Sequence, residues 1–274
     1  MKRLAVVLLL AASCSKRPAV TVGSKNFTES VILCELLAQK LERAGCRVDR
    51  RLNLGGTLVC DAAIQSGSID AYVEYSGTAL TAILHQPLSQ SRDEVTMTVA
   101  RAYALRNLHW GPNLGFNDTF AMIVRRDAGL HTISDLKRGE SVLQPGFGYE
   151  FAERPDGWNG LLKHYGLRFA KAPRTMDLGL TYKALASRQV DLIAGNSTDG
   201  LIDSLGLVAL DDDRHYFPPY DAAVVYRNHL DRRCSAALDS LANTIDDATM
   251  RRLNFEVDGK HRAAADVVKE FLTR

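Results

Sequence analysis

Apolar and polar positions alternate over Val20–Gly23, and the run stops at Gly23-Ser24. From Glu29 to Ala44 apolar residues instead recur every three to four positions. That change of period predicts a strand followed at once by a helix. The same reading carries down the chain. Residues 46–54 alternate and predict a strand, and "TLVCDAAIQSG" predicts a helix over 57–67 that ends at Gly67. A strand is expected over 69–75, a long helix over 91–107 and a strand over 119–126. Further on, strands are expected at 140–144, 168–173 and 190–195, with helices around 149–166 and 176–188. "AAVVYR" predicts a last strand, followed by helices to Arg274. Alternation at this spacing predicts an α/β fold with mostly parallel sheets.

One internal echo adds to this. "QSGSIDAYVEYSGT" (65–78) and "ASRQVDLIAGNSTD" (186–199) share a plan: a helix end, an aspartate, a short strand, and a Ser-containing turn into another helix. Aligned on Asp70 and Asp191, Tyr75 matches Asn196 and Thr78 matches Asp199. The echo predicts one βα junction built twice, in two lobes. Ligands of open α/β sheets bind at the carboxyl ends of strands, so two such ends facing each other would form a cleft.

Composition narrows the function. The chain has 274 residues, 46% hydrophobic content and a formal charge of +2. Lys2 and Arg3 supply that charge; without residues 1–13 there are 32 basic and 32 acidic residues. A neutral chain with no basic block gives no reason to expect nucleic acid. "MKRLAVVLLLAASC" has a short basic start and an apolar run too short to span a bilayer. It reads as an export signal over residues 1–13, cleaved before Cys14, with Cys14 lipidated as in bacterial lipoproteins. An ordinary cleaved signal is the alternative. The mature chain is expected to be exported to the periplasmic or cell-surface side of a membrane, tethered and otherwise soluble. Cys34, Cys46, Cys60 and Cys234 remain, with no zinc spacing. Buried free thiols at Cys34 and Cys60 are as good a reading as a bridge, and the connectivity stays open.

Enzyme readings find little support. The seven histidines are scattered, without an H-E-x-x-H. "GSK" and "NSTDG" lack a neighbouring base arrangement for a nucleophile, and "LGGTL" is not a phosphate loop. No cofactor is expected.

"GSKNFTES", "LGGTLVCDAAIQSGSIDAYVEYSGT", "NDTFAMIV", "RPDGWNGL", "NSTDGLI" and "FPPYDAA" occur in this order. Together they resemble the substrate-binding proteins of osmoprotectant ABC importers, which bind glycine betaine, choline and related quaternary amines. The resemblance covers roughly Val20 to Leu272. It implies a two-lobed, type II periplasmic-binding-protein fold, with lobe 1 over 19–115 plus 218–274 and lobe 2 over 116–217. It also implies partners: a permease and ATPase subunits.

A quaternary ammonium has no N–H to donate. Aromatic faces hold it through their negative quadrupole, at roughly 0.5–2 kcal/mol per ring. By resemblance, Tyr75, Phe120 and Tyr220 form such a cage, while Lys25, Thr78 and Arg154 hold a carboxylate tail. Each has a plainer alternative: a surface lysine at Lys25, a core tyrosine at Tyr75, a helix cap at Thr78, an ion pair with Asp156 or Glu150 at Arg154. Lys25 sits where a helix begins, so it is expected to share an anion with that N-terminus. Asn26 and Glu29 resemble a capping box, which makes Asn26 structural. Two positions depart from the family. Phe120 keeps the ring of the usual tyrosine and loses its hydroxyl. Asn196 replaces a tyrosine with an amide, a poor cation–π partner and a good hydrogen-bonder. Either the cage is smaller, or the ligand carries a polar group, as in carnitine or ergothioneine. Tyr149 or Trp158 is available as a replacement ring, though Trp158 reads first as a packed residue. A ligand-sensing module separate from transport is a further alternative.

Overall fold

The computed structural model describes residues 18–273; the signal expected over 1–13 and the lipidation expected at Cys14 fall outside them. Two five-stranded sheets organise the chain. The first runs in the order β2 (Val48–Arg51), β1 (Val20–Gly23), β3 (Ala71–Tyr75), β10 (Asp221–Arg227), β4 (Leu108–Asn117). The second runs β7 (Arg174–Thr175), β6 (Pro145–Phe147), β8 (Leu192–Asn196), β5 (Phe120–Arg125), β9 (Leu207–Ala209). The chain passes from the first sheet to the second between β4 and β5 and returns between β9 and β10.

Helices cover the sheets. The first sheet carries α1 (Thr28–Arg43), α2 (Thr57–Ser66), the short α3 (Ser76–Thr78) and α4 (Arg92–Leu105). α5 (Tyr149–Glu153), α6 (Trp158–Tyr165), α7 (Leu178–Ala186) and α8 (Leu201–Ser204) belong to the second half. α9 (Arg232–Asp239), α10 (Asp247–Asp258) and α11 (Ala264–Phe271) close the chain, and all three pack on α1. α1 buries Leu33, Leu36, Leu37 and Leu41, a helical stripe with no exposed surface to speak of. Each such side chain contributes roughly 1.5–3 kcal/mol by leaving water.

Both sheets are mixed where mostly parallel sheets were expected. β1 pairs parallel with β2 and β3, and β10 pairs antiparallel with β3 and β4. β6 pairs parallel with β7 and β8, and β5 pairs antiparallel with β8 and β9. The antiparallel strands in each sheet are those whose chain has just come from, or is about to enter, the other half. β4 and β9 are strands the periodicity did not announce. β4 contains Gly111, Pro112 and Gly115 and shifts register against β10, which an edge strand tolerates. The strand expected at 140–144 is a turn, with β6 following it; the one expected at 168–173 is replaced by the two-residue β7.

The echo of 65–78 and 186–199 is structural. Asp70 N–H donates to Thr21 O at 2.6 Å, and its Oδ2 accepts the Thr21 N–H at 2.8 Å. Asp191 repeats both bonds with Gln144, at 2.8 and 3.0 Å. Each aspartate pins the start of its strand to the parallel neighbour. Cys46 and Cys234 form a disulfide that ties the α1–β2 turn to α9. Cys34 and Cys60 are buried free thiols, each pushed up to about 12 by burial.

Candidate functional site: a ring-lined cleft between two sheets

β3 and β8 end at Tyr75 and Asn196, and both residues line one cavity of about 360 Å³. All seven expected site residues reach it: Lys25, Tyr75, Thr78, Phe120, Arg154, Asn196 and Tyr220. Two rings the sequence reading did not name, Phe27 and Phe151, also line it, as does Tyr149. Trp158 is instead packed between Phe147 and Phe169, with ring centroids 4.7 and 4.9 Å away.

The rings interlock. Phe120 meets Phe151 edge-on at 4.9 Å and Tyr220 at 5.5 Å, and Tyr75 lies 6.3 Å from Phe27. The "EYSGT" and "FPPYD" segments lock together to place two of them. Ser76 Oγ donates to Pro219 O and accepts the Asp221 N–H, both at 3.0 Å. Gly77 lies flat against the Tyr220 ring; a Cβ there would stand 2.8 Å from it. The hydroxyls face away from one another into separate carboxylates, Tyr75 to Glu29 at 2.7 Å and Tyr220 to Asp156 at 2.6 Å. Each phenol therefore has a buried carboxyl partner.

The two cations of the cavity are already paired. Lys25 Nζ is 2.5 Å from Glu74 Oε1 and 3.1 Å from Thr57 Oγ1, and it stands 5.3 Å from the Tyr75 ring centre. The anion expected beside Lys25 is thus one of the protein's own, from the middle of β3. Burial raises the Glu74 carboxyl above its ordinary range, against the pull of Lys25. Arg154 grips Asp156 through Nε and Nη2, at 2.8 and 2.5 Å. It reaches across to Thr78 Oγ1 at 3.2 Å and lies 5.0 Å from the Phe120 ring centre. Burial alone would raise Asp156, but the Arg154 bonds outweigh it and hold that carboxyl below the usual range. The ion-pair alternative weighed for Arg154 is therefore real, and Arg154 lines the cavity as well.

Glu29 does not cap α1. Phe27 is the N-cap, without a side-chain bond, and Glu29 turns inward. There it takes the Tyr75 hydroxyl, an Asn254 N–H at 2.9 Å and Thr198 Oγ1 at 2.5 Å. Thr198 Oγ1 is also 2.6 Å from Asp118 Oδ1. A hydroxyl has one proton to give, so one of these two carboxyls must itself carry a proton. Burial, followed by the nearby Glu29 charge, drives Asp118 well up. Asp199, bonded to the Asn196 N–H at 2.8 Å, is raised by burial to about 7.

With this geometry in place the comparisons with known proteins are direct. Residues 18–274 match the family described as the substrate binding domain of the ABC-type glycine betaine transport system. The chain belongs to that family. A carnitine transport binding protein of Listeria monocytogenes is 31% identical over 271 residues, covering 95% of this chain and 88% of that one. A glycine-betaine-binding protein of Pseudomonas aeruginosa is 34% identical over 288 aligned positions, covering 98% and 92%. The crystal structure of a glycine betaine/carnitine/choline ABC transporter superposes with a TM-score of 0.76 at 30% identity, covering 93% of this chain and 97% of that one. Substrate-binding proteins of ABC importers work outside the cytoplasm with permease and ATPase subunits. The fold is accordingly that of a type II periplasmic binding protein. Among the described residues no helix is long and apolar enough to cross a membrane.

Proposed function

We propose that this protein captures one small quaternary ammonium compound, such as glycine betaine, choline or a related betaine, and presents it to the permease of an ABC importer. The observation that carries this reading is the convergence of rings from both halves on one cavity: Tyr75 and Tyr220 from the first, Phe120 and Phe151 from the second. A methylated nitrogen lodged there takes cation–π attraction from several rings at once. Lobe 1 spans 19–115 plus 218–274 and lobe 2 spans 116–217, so a ligand touching both favours the closed arrangement by differential affinity. A micromolar dissociation constant corresponds to about −8 kcal/mol, within reach of a few rings after ordering costs. The protein performs no covalent chemistry. It leaves the cytoplasm on the signal at residues 1–13 and is held at a membrane by lipid on Cys14.

Asn196 favours a second reading of the same site. Asn196 lines the cavity at a position where the resemblance implies a ring, and a larger betaine with a polar body, such as carnitine or ergothioneine, would use its amide.

Calorimetric titration with glycine betaine, choline, carnitine and ergothioneine tests both readings. 3,3-Dimethylbutanol, the uncharged isostere of choline, is the control. The proposal expects micromolar binding of at least one methylammonium compound and none of the control. Binding of the control as tightly as choline would show a merely apolar pocket and overturn the cation cage.

A further inference from the structure

The N-terminus of α2 is capped from the opposite half of the molecule. Its N-cap, Gly56, has no side chain to offer. The Glu150 carboxylate, at the start of α5, fills that role: Oε1 accepts the Thr57 N–H at 2.5 Å and Oε2 accepts the Thr57 hydroxyl at 3.1 Å. Gly56 is what admits it, because a Cβ there would collide with the Glu150 carboxylate. Thr57 Oγ1 in turn accepts from Lys25 Nζ. The Lys25 ammonium thus touches the Glu74 carboxylate directly and is linked to Glu150 through the Thr57 hydroxyl. On the other wall Arg154 has its own carboxylate in Asp156. Glu74 and Asp156 are both fully buried.

A helix N-terminus beside a lysine is where the carboxylate of a betaine would seat itself. Here Glu150 holds that place. A ligand carboxylate would find an N–H or two on Lys25 and Arg154, but no uncompensated positive charge, and it would meet the like charge of Glu150. An ammonium ligand without an acid group meets the same rings and gains from the same negative charge.

We propose that Glu150 is a specificity-determining residue: its carboxylate is the built-in occupant of the α2 anion seat and biases the cleft toward quaternary amines that lack an acid group. This rests on the quaternary-amine reading above. Choline and glycine betaine test it, since they share a trimethylammonium head and differ in the tail. Titration calorimetry on the wild type, Glu150→Gln and Glu150→Ala gives the ratio of their dissociation constants. The expected wild-type result is choline bound at least tenfold tighter than glycine betaine. Both variants should shrink that ratio at least fivefold, mainly through tighter betaine binding. Betaine bound as tightly as choline by the wild type would overturn the assignment, as would a ratio unmoved in both variants; either result leaves the receptor reading intact. Absence of binding by both compounds to all three proteins removes the receptor reading and this one with it.

Discussion

Two βα junctions with one backbone plan face each other across the cleft, and they carry different chemistry. At the end of β3, Tyr75 presents a ring, its hydroxyl tied to Glu29, while the preceding Glu74 holds Lys25. At the end of β8, Asn196 lines the cavity, its backbone N–H tied to Asp199. The shared part, an aspartate pinning each strand start, is structural. On the proposed reading the first junction is a wall for a cation, and the second offers an amide. A repeated scaffold thus fixes where side chains stand, and single residues at the strand ends decide what they do.

The largest effect should come from the hidden part of the first junction. Glu74→Ala would leave Lys25 buried without its counter-charge, at a cost of about 3–5 kcal/mol. Chemical denaturation measures this, and a loss below about 1 kcal/mol would mean that Lys25 finds water instead. Tyr75→Ala should weaken binding of a quaternary amine at least tenfold, or about 1.4 kcal/mol, with the fold retained. An unchanged dissociation constant would remove Tyr75 from the cage.

The buried carboxyls behind the two junctions should show themselves in pH. Asp199, Asp118 and Glu29 have raised carboxyls. A raised carboxyl binds its proton more tightly in the folded than in the unfolded chain. Its contribution is therefore complete below the unfolded value near 4 and is lost as pH rises through the folded value. For Asp199 that window runs up to about 7. The melting temperature should fall between pH 5 and pH 8, and Asp199→Asn should flatten the fall; a wild-type melting temperature that rises over this interval would contradict the assignment. The smallest effect expected is on selectivity. Asn196→Tyr puts a ring at the second junction and should shift the ligand ranking toward glycine betaine by a fewfold, read by calorimetry. An unaltered ranking would place Asn196 outside the ligand's reach.

Much of this was legible along the chain. The seven candidate positions came from the resemblance to the family; period and spacing by themselves placed Tyr75 and Asn196 at the ends of their strands. Phe27 and Phe151 were not legible, because a ring beside a helix start looks the same whether it packs or lines a cavity. Glu74 did leave a signal, an acid inside the apolar run "AYVEY" that a buried strand accepts only with a partner. Asp156 was legible as a neighbour of Arg154 two residues away, whereas the partner of Glu150, Thr57, lies 93 residues off and leaves no local sign. β4 was hidden by Gly111 and Pro112, and the antiparallel strands by a chain that crosses between halves, which periodicity does not record. The Cys46–Cys234 bridge joins residues 188 apart in sequence and has no local signature.

The most direct test is a crystal structure of the protein with a bound trimethylammonium ligand. The account predicts the methylated nitrogen within about 6 Å of the ring centres of Tyr75, Phe120 and Tyr220, between the two sheets. A ligand lodged elsewhere, or one whose nitrogen faces away from those three rings, would contradict it.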